Sequence, residues 1–258
     1  MILYYFFIFI FGLIIGSFLN AVIYRLDKKR SIFQGRSRCP KCKKLILWYD
    51  NIPIISFFLL RGRCRHCQKK ISWQYPLVEF FTGLIFLINS LVITNFNYLS
   101  FYNWPVILQL SAAWIISSLL IIIFVYDLKY YLILDRLVIP LAILAFLYNL
   151  LNYSLINLLI GGIIGLSFFL IQFLISQGKW IGDGDLRLGL AMGFILGFPK
   201  IFLGLFLAYF IGSIVAVILL ATTKKSFKSR IPFGPFLVVG TYLTMLFGDL
   251  IINKYFYF

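Results

Sequence analysis

Eight long apolar stretches dominate the chain, at roughly 2–24, 76–94, 105–126, 137–151, 156–177, 188–199, 201–221 and 234–252. A run of about 20 such residues matches the length of a helix that crosses the hydrocarbon core of a bilayer. Lipid offers no partner for backbone N–H and C=O groups, so a continuous run of this kind pairs them internally as a helix. Transmembrane β-strands would instead alternate apolar and polar residues over about ten positions. Composition points the same way: 62% of the residues are hydrophobic and 12% are charged. A soluble domain is about 45–50% apolar and about 25% charged, so this chain has too little polar surface to cover a core in water. A soluble enzyme, a disordered chain and a secreted disulfide mini-protein are excluded. The expected fold is an all-α polytopic membrane protein of about eight transmembrane helices. The fourth and sixth runs are short for a span and imply tilt, irregularity or extension into polar flanks. The first run begins at Met1 without a basic leader or a small-residue cleavage site. It is therefore expected to remain as a span and not to be removed as a signal peptide.

The charges give an orientation. There are 24 Lys and Arg against 8 Asp and Glu, a formal net charge of +16, and 14 of the cations fall between Arg25 and Lys70. Short cytoplasmic loops carry the excess of Lys and Arg in membrane proteins. With that segment inside and both termini outside, 22 cations lie on the cytoplasmic face, and only Lys200 and Lys254 lie opposite. A wrong number of spans would scatter them over both faces. The surplus thus reads as a topology signal, and no nucleic-acid partner is expected. The organisation follows: a first span over 1–24, a cytoplasmic basic loop over 25–75, and a transmembrane domain over 76–258. No internal repeat is visible, which argues against an inverted-repeat transporter. The loop around Asn95 to Asn103 is short and uncharged, with no room for an extracellular domain.

All four cysteines lie in the basic loop, as Cys39-Pro-Lys-Cys42 and Cys64-Arg-His-Cys67, with 21 residues between the pairs. Two Cys-x2-Cys units at this spacing fit a zinc-ribbon-like loop, in which each knuckle aims two thiolates at one ion. Four sulfurs close the coordination sphere and leave no place for a reactive water, so the expected zinc is structural. The competing reading is four free or disulfide-bonded cysteines, and a cytoplasmic loop disfavours disulfides. His66, inside the second knuckle, reads as a bystander and not a fifth ligand.

Acids are few enough to take singly: Asp27, Asp50, Glu79, Asp127, Asp135, Asp183, Asp185 and Asp249. An acid at or inside a span is costly and is a functional candidate by default. Asp27 and Asp50 lie among the loop cations and read as charge offsets; Asp249 reads as a boundary residue. Asp127 ends the third apolar run, and Asp183 and Asp185 stand in Gly182-Asp183-Gly184-Asp185, between the fifth and sixth runs. The charge-derived topology places all three at the inner face, although they also fit ordinary loop carboxylates beside Lys129 and Arg187. Two facing carboxylates cannot both ionise easily, so such a pair shares a proton. The ionised member then takes a proton from water while the protonated member hydrogen-bonds a scissile carbonyl. This chemistry needs no metal. The chain's one His lies in the cysteine loop, so a Ser-His mechanism and a His-based zinc mechanism both lack parts.

These residues resemble the type IV prepilin peptidases, membrane aspartic proteases with a Gly-x-Gly-Asp motif, and the resemblance spans nearly the whole chain. Gly16-Ser17-Phe18-Leu19-Asn20 and Ile23-Tyr24-Arg25-Leu26 resemble the family's first-span signature. The Cys-Pro-x-Cys knuckle, Asn51-Ile52-Pro53-Ile54, Leu60-Arg61-Gly62-Arg63-Cys64 and Tyr75-Pro76-Leu77-Val78-Glu79 follow in family order. Asp127-Leu128 with Asp135 resembles the first aspartate motif, Gly182 to Leu188 the second, and Pro232-Phe233-Gly234-Pro235-Phe236-Leu237 the last.

By this resemblance Asp127 and Asp185 are the catalytic pair and Asp135 supports the first motif. Asp183 takes the variable position of Gly-x-Gly-Asp, although chemistry alone does not separate it from Asp185. Two departures are visible. Leu134 stands where the family commonly has Pro, and Arg187 where Lys is usual. The implied substrates are prepilins and pseudopilins, cut after a short basic leader on the cytoplasmic side of the inner membrane. The implied second activity is N-methylation of the new amino terminus with S-adenosylmethionine, associated with the first cytoplasmic loop. That loop carries no Gly-rich nucleotide fingerprint. Glu79 admits two readings, a part in methyl transfer or an ion pair with a loop cation. Gly161-Gly162-x-x-Gly165 and Gly189-x-x-x-Gly193 are expected to let helices pack closely.

Overall fold

The computed structural model describes residues 2–28, 31, 35–94, 103–151, 153–222 and 231–255. Among them every apolar run forms a helix. In chain order these are α1 (Ile2–Asp27), α3 (Gln74–Thr94), α4 (Trp104–Tyr130), α5 (Asp135–Asn149), α6 (Leu155–Ser176), α7 (Asp183–Leu196), α8 (Lys200–Thr222) and α9 (Gly234–Tyr255). A short α2 (Ile55–Leu59) and a single 3-10 turn at Trp48–Asn51 lie in the loop between α1 and α3. Six helices (α1, α3, α4, α6, α8 and α9) are long and apolar enough to cross a bilayer. The remaining two are the short fourth and sixth runs. At 1.5 Å per residue, the 15 residues of α5 and 14 of α7 reach about 22 and 21 Å, short of the roughly 30 Å hydrocarbon core. The loop around residues 95–102 and the cations Lys29, Arg30, Lys224, Lys225, Lys228 and Arg230 lie outside the described residues.

The chain divides into two compact units, Met1–Ile122 and Ile123–Phe258, with the boundary inside α4. In the first unit α1 lies directly on α3. A methyl group on Gly12 would meet the Gly83 backbone at 2.7 Å, and one on Gly16 the Glu79 backbone at 2.7 Å. Such glycines let two helix axes approach more closely than any larger residue permits. The first half of α4 joins the pair through stacked Phe86 and Trp114 rings, 5.0 Å apart, and an Asn89–Ser117 hydrogen bond of 3.0 Å.

In the second unit the expected glycine seam is present between α6 and α7. A methyl group on Gly165 would fall 2.1 Å from the Gly189 carbonyl oxygen, and one on Gly161 2.7 Å from that of Gly193. The backbones of α8 and α9 meet similarly at Gly240 and Gly204. Leu141, Leu158, Phe169, Leu188, Met192, Ile201 and Leu237 are fully buried and form the core. The Asn149 side chain donates to the Phe194 and Ile195 carbonyls, tying α5 to the C-terminal end of α7. That seam leaves the N-terminal ends of α7 and α9 and the C-terminal end of α4 to build one end of the unit.

Candidate active site and metal centre

The acids separate into two groups by what surrounds them. Asp27 pairs with Lys28 at 2.8 Å, and Arg65 grips both oxygens of Asp50. Asp249 pairs with Lys200 at 2.7 Å, as a boundary residue would. Arg187 bridges Asp135 and Asp183, whose side chains are 48% and 75% exposed. Asp127, Asp185 and Glu79 differ: they are 4%, 9% and 8% exposed, and none forms an ion pair among the described residues. A buried acid with no cation is costly, so each of these three demands a reason. Glu79 makes no ion pair with a loop cation among the described residues.

Asp127 lies in the last turn of α4. Its Oδ2 accepts the Gly234 N–H at 3.0 Å, so it caps the N-terminal end of α9 from 107 residues away. That N–H is one of the four that a helix cannot satisfy internally. Gly234 has to be glycine here, because a methyl group would sit 2.6 Å from the Asp127 oxygen. Asp185 is the third residue of α7 and closes a reciprocal cap with Gly182. Its Oδ2 accepts the Gly182 N–H at 3.1 Å, and its own N–H donates to the Gly182 carbonyl at 3.2 Å. The two carboxylates lie within electrostatic reach of each other. The second oxygen of each makes no hydrogen bond among the described residues.

Ile133 fills the space between these two helix starts. Methyl groups on Gly184 and Gly234 would meet its side chain at 2.8 and 3.2 Å. The turn that carries Ile133 also places Leu134 as the N-cap of α5, with φ −87° and ψ 128°. An aromatic wall stands nearby: Tyr209 packs on Phe233 at 4.8 Å, donates to Gln172 at 2.9 Å and lies within electrostatic range of Asp185. Beside Asp127 an apolar recess opens between α4, α8 and the start of α9, lined by Phe124, Leu128, Val215, Pro232 and Phe236 among others.

The four cysteines also converge. All four Sγ atoms lie within 4.8 Å of one another, and those of Cys39 and Cys67 are 4.0 Å apart. Sulfurs bound tetrahedrally to zinc at about 2.3 Å stand about 3.8 Å apart, so a contraction of about 1 Å or less would seat the ion. The two knuckles repeat one backbone design. Cys39 and Cys64 donate to the carbonyls of Lys44 and Lys69 and accept from the N–H groups of Lys43 and Gln68, at 2.9–3.0 Å. Lys43 and Gln68 both take positive φ, 61° and 55°. The N–H groups of Cys67 and His66 hold the Cys64 thiol down to about 7, while burial pushes Cys39 up to about 11. The first shift prepares a thiolate; the second is of the kind that a bound cation reverses.

The sequence motifs carry Gly234 and Asn20 without marking a role for either, and Ile133 stands unmarked one residue before Leu134. For Gly234 and Ile133 the missing information is long-range packing, which a single sequence does not carry. Asn20 offered a signal of its own, as an amide in an otherwise apolar span.

Apolar helices of membrane-crossing length, two buried aspartates at helix ends and a cluster of four free thiols define a polytopic membrane protein with a candidate carboxylate site. Residues 10–93 match the profile of the bacterial peptidase A24 N-terminal domain, and residues 114–217 that of the type IV leader peptidase family. The prepilin leader peptidase/N-methyltransferase of Aeromonas salmonicida strain A449 is 31% identical, covering 98% of this chain and 94% of its own length. Its namesake from Bacillus subtilis strain 168 is 32% identical, covering 96% of both chains. That of Myxococcus xanthus is 34% identical over 85% of this chain, which spans only 64% of that longer protein. No solved structure matches the chain. The chain belongs to the type IV leader peptidase family.

Proposed function

We propose that the protein is a prepilin leader peptidase of the bacterial inner membrane that works through an aspartyl dyad, Asp127 and Asp185, and also N-methylates the amino terminus it creates. One observation carries the dyad: of the seven aspartates, these two alone are buried with no ion pair to a cation among the described residues. Asp183 and Asp135 are engaged by Arg187, which separates them from the reaction and leaves them to hold the turn around Ile133.

The chemistry follows from the tethering. Each aspartate offers one oxygen to a backbone N–H and keeps the other for the reaction. One carboxylate is protonated and one ionised, since close like charges resist double ionisation. The ionised member takes a proton from water, and the resulting hydroxide attacks the scissile carbonyl, which the protonated member polarises. The intermediate collapses as the new amine takes a proton and the carboxyls exchange roles. No metal takes part in these steps. The apolar recess beside Asp127 suits a substrate whose cut site precedes a hydrophobic helix, as in prepilins and pseudopilins.

Residues 1–24 form the first span in this reading, 25–75 the cytoplasmic loop and 76–258 the peptidase portion, with the dyad at the cytoplasmic face. Cys39, Cys42, Cys64 and Cys67 hold one structural zinc; four sulfurs around it leave no reactive position. Methyl transfer uses S-adenosylmethionine, and the relatives' names support that second activity.

The test is purified protein in membranes, incubated with a prepilin and S-adenosylmethionine, with mass analysis of the products. Asp127→Ala and Asp185→Ala should insert normally and leave the leader uncut, whereas Asp27→Ala should cut it. Cleavage at the normal rate by either of the first two variants rules out the dyad.

A further inference from the structure

Glu79 is the buried acid that peptide hydrolysis does not use. It sits in the second turn of α3, against the Gly16 turn of α1. Its Oε2 accepts the Ile54 N–H at 2.7 Å, and the Ser17 side chain lies within polar reach of it. An ionised carboxylate has about four lone-pair sites, so one backbone donor and a nearby hydroxyl leave it under-satisfied, and no cation among the described residues compensates its charge.

A second observation lies beside it. Asn20 is one turn beyond Ser17 on α1 and is 2% exposed. Its amide nitrogen donates to the Tyr75 carbonyl at 3.0 Å, and Tyr75 is one turn before Glu79 on α3. Its amide oxygen is buried and has no partner. A buried acceptor without a donor is rare, and it points to an absent group. Turning the amide over would set oxygen against the Tyr75 oxygen and orphan the nitrogen, so the orientation is firm.

The backbone at this place is strained. Ile54 has φ 61° and ψ −53°, the geometry of a tight γ-turn that a β-branched residue adopts only under constraint. The Ile55 N–H closes that turn on the Pro53 carbonyl. The strained turn is what aims the Ile54 N–H at Glu79. Strain held in this way clusters where a ligand is gripped. Ser17, Ile54 and Tyr75 are each only half-buried, so the cluster opens on its rim.

What fits must donate several hydrogen bonds and carry positive charge, because a carboxylate and an amide oxygen wait for it and no cation among the described residues pairs with the carboxylate. We propose that Glu79 and Asn20 form a binding site for an alkylammonium group. Two molecules of the proposed reaction carry one: the new amino terminus of the cut substrate, and the amino-acid end of S-adenosylmethionine. This inference rests on the methyl-transfer reading above and gives it an address.

The experiment measures binding to the full-length protein in detergent, using two matched pairs of probes. One pair is S-adenosylmethionine and its analogue without the α-amino group. The other is an apolar peptide with the sequence of a mature pilin amino terminus, free or N-acetylated. For at least one pair, the wild-type protein should prefer the ammonium-bearing member by about tenfold or more, equivalent to about 1.4 kcal/mol. Glu79→Gln should remove that preference, and Asn20→Ala should reduce it. Should Glu79→Gln fail to accumulate, Glu79→Asp should weaken the preference. The proposal is overturned if neither pair shows a preference, if the variant keeps it, or if both members of a pair weaken equally. A wild-type protein that methylates its product yet shows no such preference sinks this proposal alone. One that neither methylates nor binds either probe sinks the methyl-transfer reading with it.

Discussion

The cysteine loop and the aspartate pair solve the same problem, bringing like-charged groups together, by opposite means. In the loop each knuckle is complete within seven residues. Its hydrogen bonds run from Cys39 to Lys44 and from Cys64 to Lys69, and its two positive-φ residues sit at matching positions. The four thiols lie close enough together to hold a metal ion. The aspartates have no such local frame. Asp127 is anchored by a glycine 107 residues away, and Asp185 by the start of its own helix, with Ile133 wedged between the two helix starts. A locally built site fails locally; a site assembled by distant packing fails when any contributor shifts.

The sharpest way to break the comparison is at the carboxylates. Asp127→Ala or Asp185→Ala should lower leader cleavage at least about 10³-fold, since members of a catalytic unit are each indispensable. Asp183→Asn should stay within about fivefold, because an exposed ion pair contributes little. Comparable losses in a cleavage assay would show that exposure and pairing do not mark the catalytic acid.

Gly234→Ala comes next. The added methyl, 2.6 Å from the Asp127 oxygen, has to displace the carboxylate or the start of α9. A misplacement near 1 Å costs about 10²-fold in rate, so we expect a 10- to 100-fold loss with little change in yield. Wild-type kinetics would show that Asp127 is not set by this contact.

The loop should fail differently. Replacing Cys39 and Cys64 by Ser, or stripping metal with a chelator, should remove about one zinc per chain and open the loop to trypsin. Leader cleavage should fall by less than about tenfold, far less than with either Asp→Ala change. A chain without zinc when prepared anaerobically, or a cleavage loss matching that of Asp127→Ala, would erase the distinction between the two regions.

The smallest effect is expected at Leu134→Pro, which restores the residue common in the family. Leu134 already has an extended ψ and a φ near that of proline, so the change should raise stability by about 0.4–1 kcal/mol and move cleavage less than twofold. A lower melting temperature would mean that its N–H or its exact φ is needed.

The same contrast explains what could be read from sequence. Apolar runs and Cys-x2-Cys pairs are contiguous signals, so the helices and the thiol cluster were legible to within a few residues at each helix end. The two short runs were legible as short: helices of 15 and 14 residues fall below the core thickness, and a span of that length is met by local thinning of the bilayer or by its polar flanks. Choosing between Asp183 and Asp185 was beyond chemistry alone, since both stand in one acidic turn. Helix geometry separates them: Arg187, four residues on, faces Asp183, while Asp185 turns inward against Gly182. The partner of Asp127 could not be read at all, because nothing in residues 119–127 refers to Gly234. Glu79 pointed nowhere until Ile54 and Asn20 were placed beside it.

The hydrogen bond from Gly234 to Asp127 has a consequence for how the protein is made. Gly234 opens α9, 107 residues after Asp127, so it is synthesised well after the aspartate it anchors. Until then Asp127 lacks its anchor and the recess beside it lacks the wall formed by Pro232 and Phe236. A nascent chain halted before α9 should thus enter the membrane without a working centre, and activity should arise in one late step of biogenesis.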